Sequence, residues 1–172
     1  MCKHTDQLDL KYHAKCGLYC PSCRAYIATQ EDSAKLDIIA NRINMKREDL
    51  LCNGCGSEQV SYFCRTCEIK DCVNKKGLLN CSECNEMPCD KITSFQNSSK
   101  PHRLEVIKSL NLFKEHGFEN WEKEQVSTYV CKECNNINSA YDLSCHKCGN
   151  EPGCAFVEKY KQIITKHLAT IK

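Results

Sequence analysis

No stretch of this 172-residue chain approaches the roughly 20 consecutive apolar residues that a membrane-spanning helix needs. The opening MCKHTDQLDLKYHAKC also has no apolar run of signal-peptide length. These two absences predict a cytoplasmic location and no membrane partner. Aromatic residues are scarce, at 8% with a single tryptophan, so the core is thin and must be supplemented by cross-links. Neither sign of charge prevails, since 24 Lys and Arg face 22 Asp and Glu, and no basic block stands out. Electrostatic capture of nucleic acid is therefore weakly supported. A phosphate loop, a Ser/His/Asp set and a paired-carboxylate motif are missing too, so no residue is nominated as catalytic or as an organic-cofactor ligand. The balance leans away from an enzyme.

What the chain has in abundance is cysteine, 17 residues of it. An odd number cannot all pair within one chain, and in a reducing cytosol disulfides are not the default use of thiols. Six C-x2-C pairs occur, at Cys20/Cys23, Cys52/Cys55, Cys64/Cys67, Cys81/Cys84, Cys131/Cys134 and Cys145/Cys148. That spacing aims two sulfurs at one tetrahedral ion. The sequence thus predicts zinc at several sites, three or four in all, with iron or an iron-sulfur cluster as the alternative.

Between the cysteines the pattern predicts short helices. CPSCRAYIATQ opens one with Pro21, and EDSAKLDIIANRI another, capped by Asp32 or Ser33 with Leu36, Ile39, Ala40 and Ile43 at helical spacing. Short strands are expected at residues 61–63, a helix over 68–76 closed by Gly77, and a further helix in MPCDKITSFQ. After the linker QNSSKPH, a helix over 101–116 ends at Gly117 and a second carries Trp121. A terminal helix presents Phe156, Val157, Tyr160, Ile163, Ile164 and Leu168 on one face. The expected fold is small, irregular α+β and metal-stabilised. Its units are a cysteine-rich multi-metal domain at 1–98, a helical connector at 99–128, a ribbon at 129–150 and a C-terminal helix at 151–172.

Cys131, Cys134, Cys145 and Cys148 make C-x2-C-x10-C-x2-C, which resembles a zinc ribbon, and four thiolates leave no open position for catalysis. Eleven more candidate ligands lie upstream. Proximity groups Cys52, Cys55, Cys64 and Cys67 around one ion and Cys72, Cys81, Cys84 and Cys89 around another, although interleaved pairing is equally legal. Cys16, Cys20 and Cys23 have the C-x3-C-x2-C spacing that radical-SAM enzymes use for an iron-sulfur cluster. The rest of the chain is too short for the β/α barrel of those enzymes. A third zinc site, completed by another thiolate or by His13, or three cysteines packed near the other two sites, is the plainer reading. Cys2 and Cys154 stand outside any pair and read as idle or buried thiols.

The motifs CGLYCPSCRAYIATQ, LCNGC and YFCRTCEIKDCVNKKGLLNCSECNEMPCDKI, taken in order, resemble the prokaryotic cysteine-rich family called domain of unknown function 3795. The resemblance covers residues 12 to about 96, and the tail is similar to a ribbon-bearing extension found in some members. It implies a cytoplasmic, metal-binding prokaryotic protein and no particular reaction. The function so predicted is that of a zinc-binding interaction or regulatory module with a protein partner. The alternatives are a redox protein using Cys16, Cys20 and Cys23, and a nucleic-acid-binding ribbon.

Overall fold

The protein is described by a computed structural model over residues 12–170. Helices α1 (Arg24–Glu31) and α2 (Ser33–Arg42) form a hairpin pivoting on Asp32, whose carboxylate accepts from the Ala34 and Lys35 amides. An Asp at this position satisfies donors that the first helical turn leaves orphaned. The short helices α3 (Tyr62–Arg65), α4 (Glu68–Lys75) and α5 (Asp90–Gln96) follow. Gly77, at φ 66°, ends the α4 segment as expected.

Helix α6 (Val106–Tyr129) is two helices in one span, broken at Gly117, where φ is 74° and ψ 178°. The expected start at residue 101 is instead a single 3-10 turn, Pro101–Arg103, and the α-helix begins at Val106. Helix α7 (Ala155–Thr170) kinks at Tyr160, whose hydroxyl donates to Glu105 at 2.8 Å. The kink turns Ile163 away from the core, leaving it 48% exposed, while Ile164 is fully buried. A single helical face across both residues was the wrong expectation, because one non-helical residue resets the phase.

The β component is also corrected. Among the described residues the β pairings are two isolated bridges, His13 with Tyr19 and Val130 with Ile137. Strands need uninterrupted runs of alternating side chains, and here every candidate run is cut by a cysteine turn within a few residues. The expected strand at 61–63 is the start of α3, where the Ser61 carbonyl accepts from the amides of Cys64 and Arg65. The architecture is helix-rich.

Three apolar clusters hold these pieces. A small one lies between α1 and α2 around Leu36 and Leu50. A larger one joins the cysteine turns to the first half of α6, with Cys16, Cys20, Cys55 and Cys81 packed among Ile69, Val73, Val106 and Leu110. The last joins Tyr19 to Phe113, Trp121, Tyr129 and the buried side of α7. Helix α6 thus contributes to two cores, and the packing is continuous from the cysteine-rich segment into the connector.

The seam is specific. The His13 ring lies 4.5 Å from Phe113 and edge-on to Trp121 at 5.0 Å. Trp121 Nε1 donates to Ser109 Oγ at 2.8 Å, and Ser109 Oγ donates to the Gly17 carbonyl at 2.6 Å. Gly17 has φ 84°, and a Cβ there would sit 2.7 Å from Leu110 Cγ, so both the turn and the close approach require glycine.

Candidate metal centre

The sulfurs of Cys131, Cys134, Cys145 and Cys148 all lie within 4.8 Å of one another. Cys131 and Cys148 are 3.7 Å apart, and Cys134 and Cys145 3.6 Å. Four thiolates about 2.3 Å from a central ion stand about 3.8 Å apart, so these two edges of the cage already match a tetrahedral site.

Two turns of the same design build it. In each, the amide of the first cysteine donates to a carbonyl five residues on, Cys131 to Asn136 at 2.9 Å and Cys145 to Asn150 at 2.8 Å. In each, the residue after the second cysteine has positive φ and donates back to the first cysteine's carbonyl: Asn135 at φ 57° and Gly149 at φ 78°. Asparagine and glycine are the residues that tolerate this conformation. Asn135 was passed over in the sequence, although CKECN aligned on CHKCG carries the signal.

The electrostatics favour a thiolate at Cys145, while the thiols of Cys134 and Cys148 are shifted upward. Burial opposes ionisation of Cys145, but the amides of Cys148 and Lys147, the Asn138 side chain and the Cys134 thiol donate to it, bringing its pKa down to about 6. Cys131 is completely buried, and Cys148 faces solvent. Beneath the turns lies Asn138, fully buried, which accepts from the His146 amide and donates to the carbonyls of Asn136 and Gly153. Nothing in the sequence pattern marked it. Cys154 is buried at the start of α7, where it accepts from the Phe156 and Val157 amides, and burial raises its pKa to about 11. Cys2 lies outside the described residues.

The eleven upstream thiols are arranged differently. The described cysteines form no disulfides, and among the described residues the C-terminal four are the one set closed to within 4.8 Å. Cys55 and Cys64 nonetheless lie close enough to act on one another, and Cys52 and Cys23 close enough to act on Cys64. Cys81 is surrounded by Cys89, Cys72, Cys84 and Cys67, and Cys16 feels Cys55, Cys67 and Cys81. Burial pushes the Cys16 thiol well up and Cys81 to about 12. Cys23, Cys67 and Cys89 occupy the N-caps of α1, α4 and α5, where helix amides converge. His13 faces aromatic rings and Asn80 and takes no place in a thiol set.

Fold and site together define a small, helix-rich, cysteine-rich protein with a four-thiol group able to hold a metal ion. None of its helices among the described residues is long and apolar enough to cross a membrane. Residues 12–94 match the model of a family described as protein of unknown function (DUF3795), which supports the resemblance drawn from the motifs of that segment. No curated protein and no solved structure matches the chain.

Proposed function

We propose that this is a zinc-organised interaction module of the cytoplasm, in which closed thiolate sites fix short helices for a protein partner. The observation that carries the reading is the tetrahedral spacing of Cys131, Cys134, Cys145 and Cys148. A site closed by four protein thiolates has no position for substrate, so its role is structural. The two amide-lined turns support a zinc ribbon at residues 129–150. Structural zinc supplies about 10–16 kcal/mol per site, which suits a chain whose clusters are small and rich in cysteine. Four thiolates also suit iron, and the test separates the two. Protein purified without oxygen should be colourless and contain zinc. Brown or red protein with iron in stoichiometric amount would overturn the assignment.

A further inference from the structure

We propose that Cys20, Cys23, Cys52 and Cys55 form a second metal site, in which two turns distant in sequence face one another across the start of α1. The proposal rests on reading the thiols as metal ligands and goes further by naming which of them share an ion. Grouping by proximity in the chain would place Cys52 and Cys55 with Cys64 and Cys67, and the nearness of Cys64 to Cys55 suits that grouping, but an amide-to-sulfur bond joins the Cys55 turn to Cys20 instead.

The first turn is the 3-10 segment Cys20–Ser22, closed by the Cys23 amide donating to the Cys20 carbonyl at 2.9 Å. Cys23 is then the N-cap of α1, with the Ala25 and Tyr26 amides directed at its sulfur. The second turn, Cys52 to Cys55, passes through Gly54 at φ 104°. It is strapped along α1 at two points: the Cys52 amide donates to Thr29 Oγ1 at 3.1 Å, and Gln30 Nε2 donates to Asn53 Oδ1 at 2.8 Å. These contacts carry it to the other turn, where the Cys55 amide donates to Cys20 Sγ at 3.3 Å.

An amide directed at sulfur favours the ionised, metal-binding form of a cysteine. Packing alone accounts for a buried thiol. It does not account for two C-x2-C turns joined by an amide-to-sulfur bond, with Cys20, Cys52 and Cys55 each at most 9% exposed. Cys64 reaches Cys55 from α3 as a fifth thiol. A tetrahedron has no place for it once both pairs are engaged, because two sulfurs held in one turn bind an ion together. The ligand class is a divalent ion that accepts four thiolates, zinc in the cell and cadmium as its probe.

The test is heteronuclear NMR on the unmodified full chain loaded with cadmium-113, reading which cysteine β-protons couple to which cadmium. The expected result is one cadmium resonance correlated with Cys20, Cys23, Cys52 and Cys55, separate from one correlated with Cys131, Cys134, Cys145 and Cys148. A cadmium that joins Cys52 and Cys55 to Cys64 or Cys67, or any ligand set lacking Cys20 or Cys23, overturns the proposal. So does the lack of cadmium at all four thiols. Loss of the C-terminal resonance would instead strike the reading of the ribbon, so the two failures are told apart in one spectrum.

Discussion

Glu31 Oε2 and His146 Nε2 stand 2.9 Å apart, joining the last residue of α1 to the turn that carries Cys145 and Cys148. Arg24, at the other end of α1, donates to the Tyr141 carbonyl at 3.0 Å and lies 4.6 Å over the Tyr141 ring. The helix that begins beside Cys23 is therefore pinned at both ends to the segment that carries the C-terminal four-thiol group. Glu31 is 44% exposed, so its half of the contact is worth little. Glu31→Ala should lower stability by about 0.5–1 kcal/mol in urea denaturation and leave the metal content unchanged.

The hydrogen-bonded chain from Trp121 through Ser109 to Gly17 is buried throughout its polar part. Ser109→Ala leaves the indole N–H and the Gly17 carbonyl without their partner, a loss of about 1–3 kcal/mol. Trp121 is the only tryptophan and is fully buried, so its fluorescence reports the transition directly. Gly17→Ala should cost at least as much, through strain at positive φ together with overlap on Leu110.

His13 is 2% exposed, and burial, with the positive charge of Lys15, lowers its pKa from 6.5 to about 4. The unfolded chain therefore binds a proton between pH 6.5 and 4 that the folded chain refuses. Stability contributed by neutral His13 is complete above pH 6.5 and falls away as the pH drops toward 4. The loss is about 3 kcal/mol. His13→Leu should remove this part of the slope, seen as a smaller difference in denaturation free energy between pH 7 and pH 4.5. Asn80 loses its contact with the ring at both pH values, so that change cancels.

Removal of metal by a strong chelator should collapse far-ultraviolet circular dichroism by a large fraction. Each structural zinc supplies about 10–16 kcal/mol, as much as the entire stability of an ordinary small domain. Cys131→Ser should lower the metal content by one ion and loosen α7, since Tyr129, two residues upstream, stacks 5.3 Å from Phe156 on that helix. An unchanged spectrum after metal removal confirmed by elemental analysis would contradict the reading.

What the sequence disclosed was local chemistry. The Asp32 cap, the Gly77 and Gly117 stops and the grouping of the four C-terminal thiols each depend on a few neighbouring residues, and each was legible. The positions that failed depend on contacts far along the chain. Tyr62 and Phe63 have strand-like side chains, yet without an edge to pair with they turn into α3 and stay half exposed. Ile163 has the right spacing for a buried face and is displaced by a kink stabilised at Glu105. Asn80 and Asn138 are fully buried polar residues that also reach distant partners, His13 and the Gly153 carbonyl, and composition cannot announce such a role. The seam of His13, Phe113 and Trp121 escaped for the same reason, because a linker rich in small polar residues hides the fact that its two sides pack together.

That seam bears on how the molecule is made. A ribosome releases His13 a good half of the chain before Trp121, at about 5–20 residues per second. For a period on the order of ten seconds the first cysteine turns are outside the tunnel while the helix that completes their core is still being assembled. During that interval the thiols of the first cysteine turns are without the apolar cover that α6 later provides.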